Sequence, residues 1–204
     1  MTSRAQQAQQ TYEHIFSTAE TLLQDSSYEK LSVDQICKHA NISKGGFYHH
    51  FSSKEQLIAI LIGRQMENLL IQKIEPYLNK KSTFELLNIY IDVMVEYLES
   101  NSRSILARCW TVIAEHPEMI DSLLSKGAFQ LLYAIVEQGK QERCISTELD
   151  NDFCYAYINA TITGIILYGS TFRDKLYLRT FAENSLKLIY QTLASPNFKT
   201  DFIN

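Results

Sequence analysis

The sequence predicts an all-α protein of about nine helices, three forming a small N-terminal head and the rest a larger body. Two observations carry that prediction. Only three prolines and seven glycines interrupt 204 residues, so long stretches are free to stay helical. Apolar residues recur every three to four positions along most of the chain, while strand-like alternation and internal repeats are absent.

Tyr12, Ile15, Phe16, Ala19, Leu22 and Leu23 mark an amphipathic first helix, which ends at the break Asp25–Tyr28. Ser32, three residues before Gln35, reads as a capping box that opens a short second helix with Val33, Ile36, Cys37 and Ala40 inward. Asn41 suits the left-handed position that ends it. Ser43 caps a third helix, Lys44 to Phe51, that contains two glycines. Ser52 or Ser53 opens a long fourth helix running towards Pro76.

Ser82 and Glu85 form another capping box, followed by the apolar face Leu86, Leu87, Tyr90, Ile91, Met94, Tyr97 and Leu98. Further helices are expected over 104–115 and from Pro117 to about Gln141. After a turn at Cys144–Asp150 come an uncharged helix near 153–172 and a last one from Asp174 to Leu193. The expected divisions are 1–54 for the head, 55–194 for the body and 195–204 for a loose tail.

The net charge of −4 excludes a protein that is basic all over, but not one with a local basic patch. Residues 35–53 contain no Asp or Glu, yet carry Lys38, His39, Lys44, His49 and His50, with Lys54 next. Residues 1–10 are polar and lack the apolar core of a secretion signal. Cys37, Cys109, Cys144 and Cys154 show no CxxC pair or metal-finger spacing, which reads as free thiols in a reduced cytoplasm. Residues 153–172 are long enough to span a bilayer. Asn159, Thr161, Thr163, Ser170 and Thr171 mark them instead as a buried helix of a soluble protein.

A phosphate loop, a nucleophile elbow and a paired metal-ligand helix motif are all missing, so neither an enzyme nor a cofactor or metal site is expected. Cys109 and Cys154 with His116 have no spacing that supports a redox or metal sensor, and are taken as structural.

Two short helices joined by a tight turn, the second presenting Lys, Gly, Tyr and His, describe a helix-turn-helix. The run Ser32–Leu57 closely resembles the signature of the TetR (tetracycline-repressor) family through Ile36, Ala40, Ser43, Gly45, Phe47, Tyr48, His50, Phe51, Ser53, Lys54, Glu55 and Leu57. It departs at Asn41, where the family usually has Gly, and at Gly46, often Thr or Ser. The resemblance implies a DNA-binding head in which Tyr48, His50 and Lys54 hold phosphates while Lys44, Gly45 and Gly46 approach base edges. His49 suits either role. Ser32, Ser43 and Lys54 sit at helix starts, where backbone amides attract phosphate oxygens. Phe47 and Phe51 read as head core, and Lys38 and His39 as solvated.

The resemblance further implies a small-molecule effector pocket and a homodimer interface in the body. The tyrosine load of the middle helices suggests a pocket lined by Tyr90, Met94, Trp110, Tyr133 and Tyr157. Ala156, Ala160 and Gly164 recur every four residues, and with Phe181, Leu188 and Ile189 they form the expected dimer face. The fourth helix starts at the head and has its middle, 66–70, in the body, so it is placed to carry movement between them. The expected function is therefore transcriptional regulation. Double-stranded operator DNA is the partner, and repression is relieved by a small apolar or aromatic ligand. One rival keeps the DNA head but gives the body no ligand, leaving control to a protein partner or to DNA occupancy.

Overall fold

Most helix starts in this protein are fixed by one side chain that takes over an orphan backbone amide. In the computed structural model, which describes residues 3–24, 27–101, 103–116, 126–171 and 175–196, Ser32, Ser43, Ser53 and Ser82 each accept a hydrogen bond from the amide three residues on. Ser32–Gln35 and Ser82–Glu85 are complete capping boxes, as the sequence predicts.

The described residues form nine α-helices: α1 (Arg4–Gln24), α2 (Val33–Ala40), α3 (Lys44–His50), α4 (Lys54–Ile74), α5 (Thr83–Ser100), α6 (Arg103–Glu115), α7 (Lys126–Gln141), α8 (Asn151–Thr171) and α9 (Lys175–Leu193). A 3-10 turn at Glu75–Tyr77, with Pro76 inside it, closes α4. The expected helix start at Pro117 and that at Asp174 lie outside the described residues. The helix that carries the uncharged stretch begins at Asn151, directly after the expected turn, and Asp150 Oδ1 caps it by accepting from the Phe153 amide.

The helices enclose two apolar cores. The head core gathers Ile15, Phe16 and Ala19 of α1, Ile36 and Cys37 of α2, Phe47 of α3, and Phe51. It continues beyond residue 54 into Leu57, Ile60 and Leu61 of α4 and reaches Val112 of α6. The body core is centred on α5, which buries ten residues and packs against α4, α7, α8 and α9. No described helix is long and apolar enough to cross a membrane.

Ser195, the first residue of the expected tail, is held by the body, while 197–204 lie outside the described residues. Ser146 N donates to Leu193 O at 2.8 Å and Ser195 N to Cys144 O at 3.0 Å, around an isolated antiparallel bridge between Ile145 and Ala194. Three residues are too few for alternation to register in sequence.

Below α5, Glu142 Oε2 accepts from Thr83 N at 3.0 Å while Gln138 Nε2 donates to Lys81 O at 2.7 Å, tying the start of α5 to the end of α7. At the same end, the Ser82 backbone amide, the Lys81 ammonium and the Ser82 hydroxyl hold the Glu85 carboxyl down to about 2. A carboxyl depressed in the folded chain stabilises above its unfolded value of about 4.3, and that contribution disappears as pH falls towards the folded value. Between pH 5 and pH 2.5 the urea midpoint of the parent should therefore fall further than that of Glu85→Gln. Equal losses would show that Glu85 carries no acid sensitivity.

Candidate nucleic-acid interface

The tight turn between α2 and α3 is set by one residue. Asn41 sits in the left-handed region at φ 53° and ψ 46°, and Ile42 N donates back to Cys37 O at 3.0 Å. Asparagine tolerates this conformation at little cost, so the chain reverses here without the glycine usual at such positions.

From the turn emerges α3, a helix of only seven residues. Its inner side is anchored by Phe47 and Phe51, both buried, with ring centroids 5.6 Å apart. Tyr12 of α1 stacks on Phe51 at 4.9 Å. The outer side presents Lys44, Gly45 and Tyr48 to solvent, with Tyr48 54% exposed.

Gly45 and Gly46 are the most informative residues of this surface. Neither has a positive φ, so the backbone does not require glycine. A Cβ at Gly45 would meet only Ser43 Oγ, at 3.7 Å; one at Gly46 would meet Ser43 Oγ at 3.5 Å and Ile42 Cβ at 3.8 Å. These are ordinary contacts, so internal packing does not require glycine either. Two glycines that weaken a short helix without internal cause leave a bare backbone ridge that a large partner can approach closely.

The polar groups around the ridge are already engaged. Lys44 Nζ lies 2.7 Å from Asp34 Oδ1, and that hydrogen bond is the main reason its ammonium is held above the ordinary lysine range. Burial first, and His49 second, push the His50 imidazole below its usual value, so near pH 7 it is a neutral N–H donor. Its ring lies 5.0 Å from His49 and edge-on to Tyr12 at 6.3 Å. Lys54 Nζ donates to Leu31 O at 2.9 Å and to Tyr28 O at 3.5 Å, so it braces the connection between α1 and α2. Of the nine sequence-predicted residues, Ser43, Lys44, Gly45, Gly46, Tyr48, His49 and His50 share α3 and its cap. Ser32 and Lys54 flank it from the starts of α2 and α4.

Sequence reading missed two partners here. Asp34 pairs with Lys44 across the turn, at a separation no helical spacing reveals. Arg64 of α4 pairs with Glu13 at 3.2 Å and lies 4.0 Å over the Phe16 ring, clamping α1 to α4.

The five predicted pocket residues lie on α5, α6, α7 and α8. Tyr90 and Met94 are buried in the α5 core, and Trp110 is half-buried on α6. Tyr133 donates its hydroxyl to Asp152 Oδ1 at 2.8 Å, and Tyr157 bonds to Thr192 Oγ1 at 3.2 Å. Two cavities bordered by described residues flank α4 and include none of the five. One, of about 130 Å³, lies between Tyr28, Glu29, Lys54, Glu55, Ile58, Ile105, Arg108 and Cys109. The other, a groove of about 320 Å³, is lined by Gln65, Asn68, Leu69, Gln72 and Tyr97. Between them Gln65 Oε1 accepts from the hydroxyls of Tyr28 at 3.1 Å and Tyr97 at 3.3 Å.

On α8 the predicted Ala156, Ala160 and Gly164 are exposed, and Gly164 has no atom within 4 Å of an added Cβ. Phe153, Leu167 and Tyr168 extend them into an exposed stripe at helical spacing, and Leu188 of α9 is 59% exposed. That stripe is legible in the sequence as positions 153, 156, 160, 164, 167 and 168. Phe181 is half-buried against Tyr168, with ring centroids 5.2 Å apart. Ile189 is a correction: it is 1% exposed, since one step along α9 from Leu188 turns it about 100° into its own core.

Residues 15–60 match the family described as bacterial regulatory proteins, tetR family. The chain is 23% identical over 199 residues to the HTH-type transcriptional repressor NemR of Escherichia coli K12, covering 91% of this chain and 95% of that protein. It is 37% identical over 70 residues to the HTH-type transcriptional regulator UidR of the same strain, 34% of this chain and 36% of that one. The matches to UidR and to the transposon Tn10 TetC protein span 36% and 48% of those relatives. Among solved structures, RolR in complex with resorcinol has a TM-score of 0.60 at 18% identity, covering 95% of this chain and 92% of that one. The Bacillus subtilis regulator FadR with stearoyl-CoA has a TM-score of 0.57 at 20% identity, covering 89% and 99%. Both share this fold.

The glycine geometry makes a prediction about stability alone. Gly45→Ala and Gly46→Ala should each fold normally and raise the stability by up to about 1 kcal/mol, the helix-propensity difference. A lower melting temperature in either variant would mean that the chain itself needs the bare backbone.

Proposed function

We propose that this chain, which belongs to the tetR family of bacterial transcriptional regulators, is a homodimeric repressor that leaves a pseudo-palindromic operator when a small apolar or aromatic effector binds its body. The observation that carries the DNA-binding part is the bare ridge of Gly45 and Gly46, open for no internal reason, on a helix whose opposite side is locked into the head. A duplex wall of phosphates and base edges is the kind of large, rigid partner such a ridge accommodates.

In this reading Lys44, Gly45 and Gly46 face base edges. Tyr48 and the neutral His50 donate to phosphates, joined by the amides that Ser32 and Ser43 do not use, and His49 serves either purpose. Lys54 acts chiefly by bracing the α1–α2 connection through Leu31 and Tyr28. NemR, called a repressor, is similar over most of its length, which supports repression. RolR with resorcinol and FadR with stearoyl-CoA, an aromatic and an aliphatic ligand on the same fold, support the effector class.

A second reading keeps the DNA head and gives the body no ligand, with control by a protein partner or by DNA occupancy. It is favoured by the placement of the candidate pocket residues, two of which bond through their hydroxyls to other side chains. A thermal-shift screen separates the two, because a ligand at 100 times its Kd stabilises by about 2.7 kcal/mol.

Dimerisation is assigned to α8 and α9. The α8 helix carries a buried stripe of Cys154, Ile158, Ile162 and Ile165 and, opposite it, the exposed stripe from Phe153 to Tyr168. A second copy of this chain would cover that second apolar face and pair two heads for a two-fold operator.

Gly45→Ala and Gly46→Ala, despite keeping or gaining stability, should lose most of their affinity for the duplex that the parent selects from a random pool. Lys44→Ala should narrow the gap between that duplex and random DNA. Lys54→Ala should weaken both alike, changing the salt slope by less than the roughly one unit of a pure phosphate contact. Unchanged binding in all four across a salt titration would remove α3 from the groove.

Gly164→Arg tests the dimer at an exposed position where an added Cβ meets nothing within 4 Å. Sizing chromatography should give a folded monomer for this variant and a dimer for the parent. A parent that elutes as a monomer at micromolar concentration rules the interface out.

A further inference from the structure

We infer that Asp34 is a specificity-determining residue of the head: its carboxylate, holding the Lys44 ammonium at 2.7 Å, keeps that lysine from serving as general phosphate glue. The inference rests on the reading of α2 and α3 as the DNA-facing unit.

Both side chains are largely in solvent, 63% exposed for Lys44 and 70% for Asp34, so the pair adds little to folding. Its position is what matters. Lys44 is the first residue of α3, next to the bare ridge, and residues 35–53 hold no acid. Asp34, in the first turn of α2, is the carboxylate that reaches across the turn to this lysine. The second lysine near the ridge, Lys54, is turned onto the carbonyls of Leu31 and Tyr28.

Random DNA is bound through phosphates, with a gain in counterion release for each protein cation that pairs with one. The Lys44–Asp34 pair is neutral as a unit and contributes none of that gain. A phosphate taken up by Lys44 would also stand beside the Asp34 carboxylate and be repelled. A neutral acceptor, such as the O6 and N7 of a guanine edge, draws the ammonium with no such repulsion. Asp34 thereby lowers the affinity for any phosphate wall more than for a correctly placed guanine.

The test measures binding of the full-length protein to two duplexes, one selected by the parent from a random pool and one of random sequence, between 0.05 and 0.3 M salt. Asp34→Asn keeps size and removes the charge. Its random-DNA affinity should rise, with a salt slope steeper by about 0.9, which relative to 1 M salt amounts to about fivefold at 0.15 M and about fifteenfold at 0.05 M. Affinity for the selected duplex should rise less, so discrimination falls. Asp34→Glu, which keeps the charge, should stay within about twofold of the parent on both, and the double variant Asp34→Asn with Lys44→Ala should lose the gain on random DNA. Circular dichroism melts of all variants should coincide with the parent.

An Asp34→Asn protein that discriminates as well as the parent overturns the inference, as does one that binds both duplexes more weakly. A gain that persists in the double variant would make Asp34 a simple repulsive charge, and overturns the role assigned to Lys44. A parent without salt-dependent duplex binding defeats the DNA-binding reading itself, which is a different result from any of these.

Discussion

One stretch of α4 cannot move without moving everything around it. Seven consecutive residues, Leu57 to Gly63, are buried, so this part of the helix has no solvent face. Leu57, Ile60 and Leu61 belong to the head core, while Ile58, Ala59 and Ile62 belong to the body core. The two cores therefore share a wall one helix thick. Close-packed interiors transmit displacement instead of absorbing it, so the head cannot slide on the body along an oily seam. Where α4 leaves this enclosure, polar residues take over its fixing. Arg64 clamps Glu13 and Phe16 of α1, and Gln65 takes the hydroxyls of Tyr28 from the head side and Tyr97 from α5.

That frame explains how α3 exists at all. A seven-residue helix with two glycines is far below the length at which helices persist alone. Its stability is tertiary: the Ser43 cap at one end, Phe47 and Phe51 sunk into the shared core, and Tyr12 stacked behind them. The weakness is confined to the outward side, where a Cβ at Gly45 or Gly46 would meet only Ser43 and Ile42. Such a conflict between local propensity and fold belongs at a working surface, because elsewhere it would bring only cost.

What the sequence made legible, and what it hid, follow the range of the forces involved. Caps and turns act over three or four residues, so Ser32 with Gln35, Asn41, Ser43 and Ser82 with Glu85 announced the helix ends. Periodicity exposed the core faces of α1 and α5. The pairing of Asp34 with Lys44, the inward turn of Lys54, and the clamp between Glu13 and Arg64 depend on how helices cross, which no local pattern encodes. Ile189 went astray for the opposite reason. In an apolar helix, composition does not say which of two neighbours faces out, and the outward one is Leu188. The hydroxyl partners of Tyr133 and Tyr157, Asp152 and Thr192, likewise follow from helix crossing and not from residue type.

The same geometry bears on how a body could govern its head. α6 packs on both α4 and α8, and its Val112 enters the head core while Ile105, Leu106 and Cys109 lie in the body core. Two helices, α4 and α6, thus run from body to head, and α6 also adjoins the helix that carries the exposed stripe. A helix of 21 residues is about 30 Å long, so tilting α4 by 5° about its far end shifts its head end by roughly 2–3 Å. Hydrogen bonds to base edges fail when donor and acceptor separate beyond about 3.5 Å, and a two-fold regulator must hold two recognition helices about 34–36 Å apart. A shift of that size in each half is enough to spoil the match. Under the proposed function, a ligand has no need to push the two heads apart. It has only to bind the tilted arrangement better, and a preference of about 2.7 kcal/mol would lower DNA affinity on the order of 100-fold. The enclosed wall of α4 makes so small a tilt count, because neither core can yield to it alone.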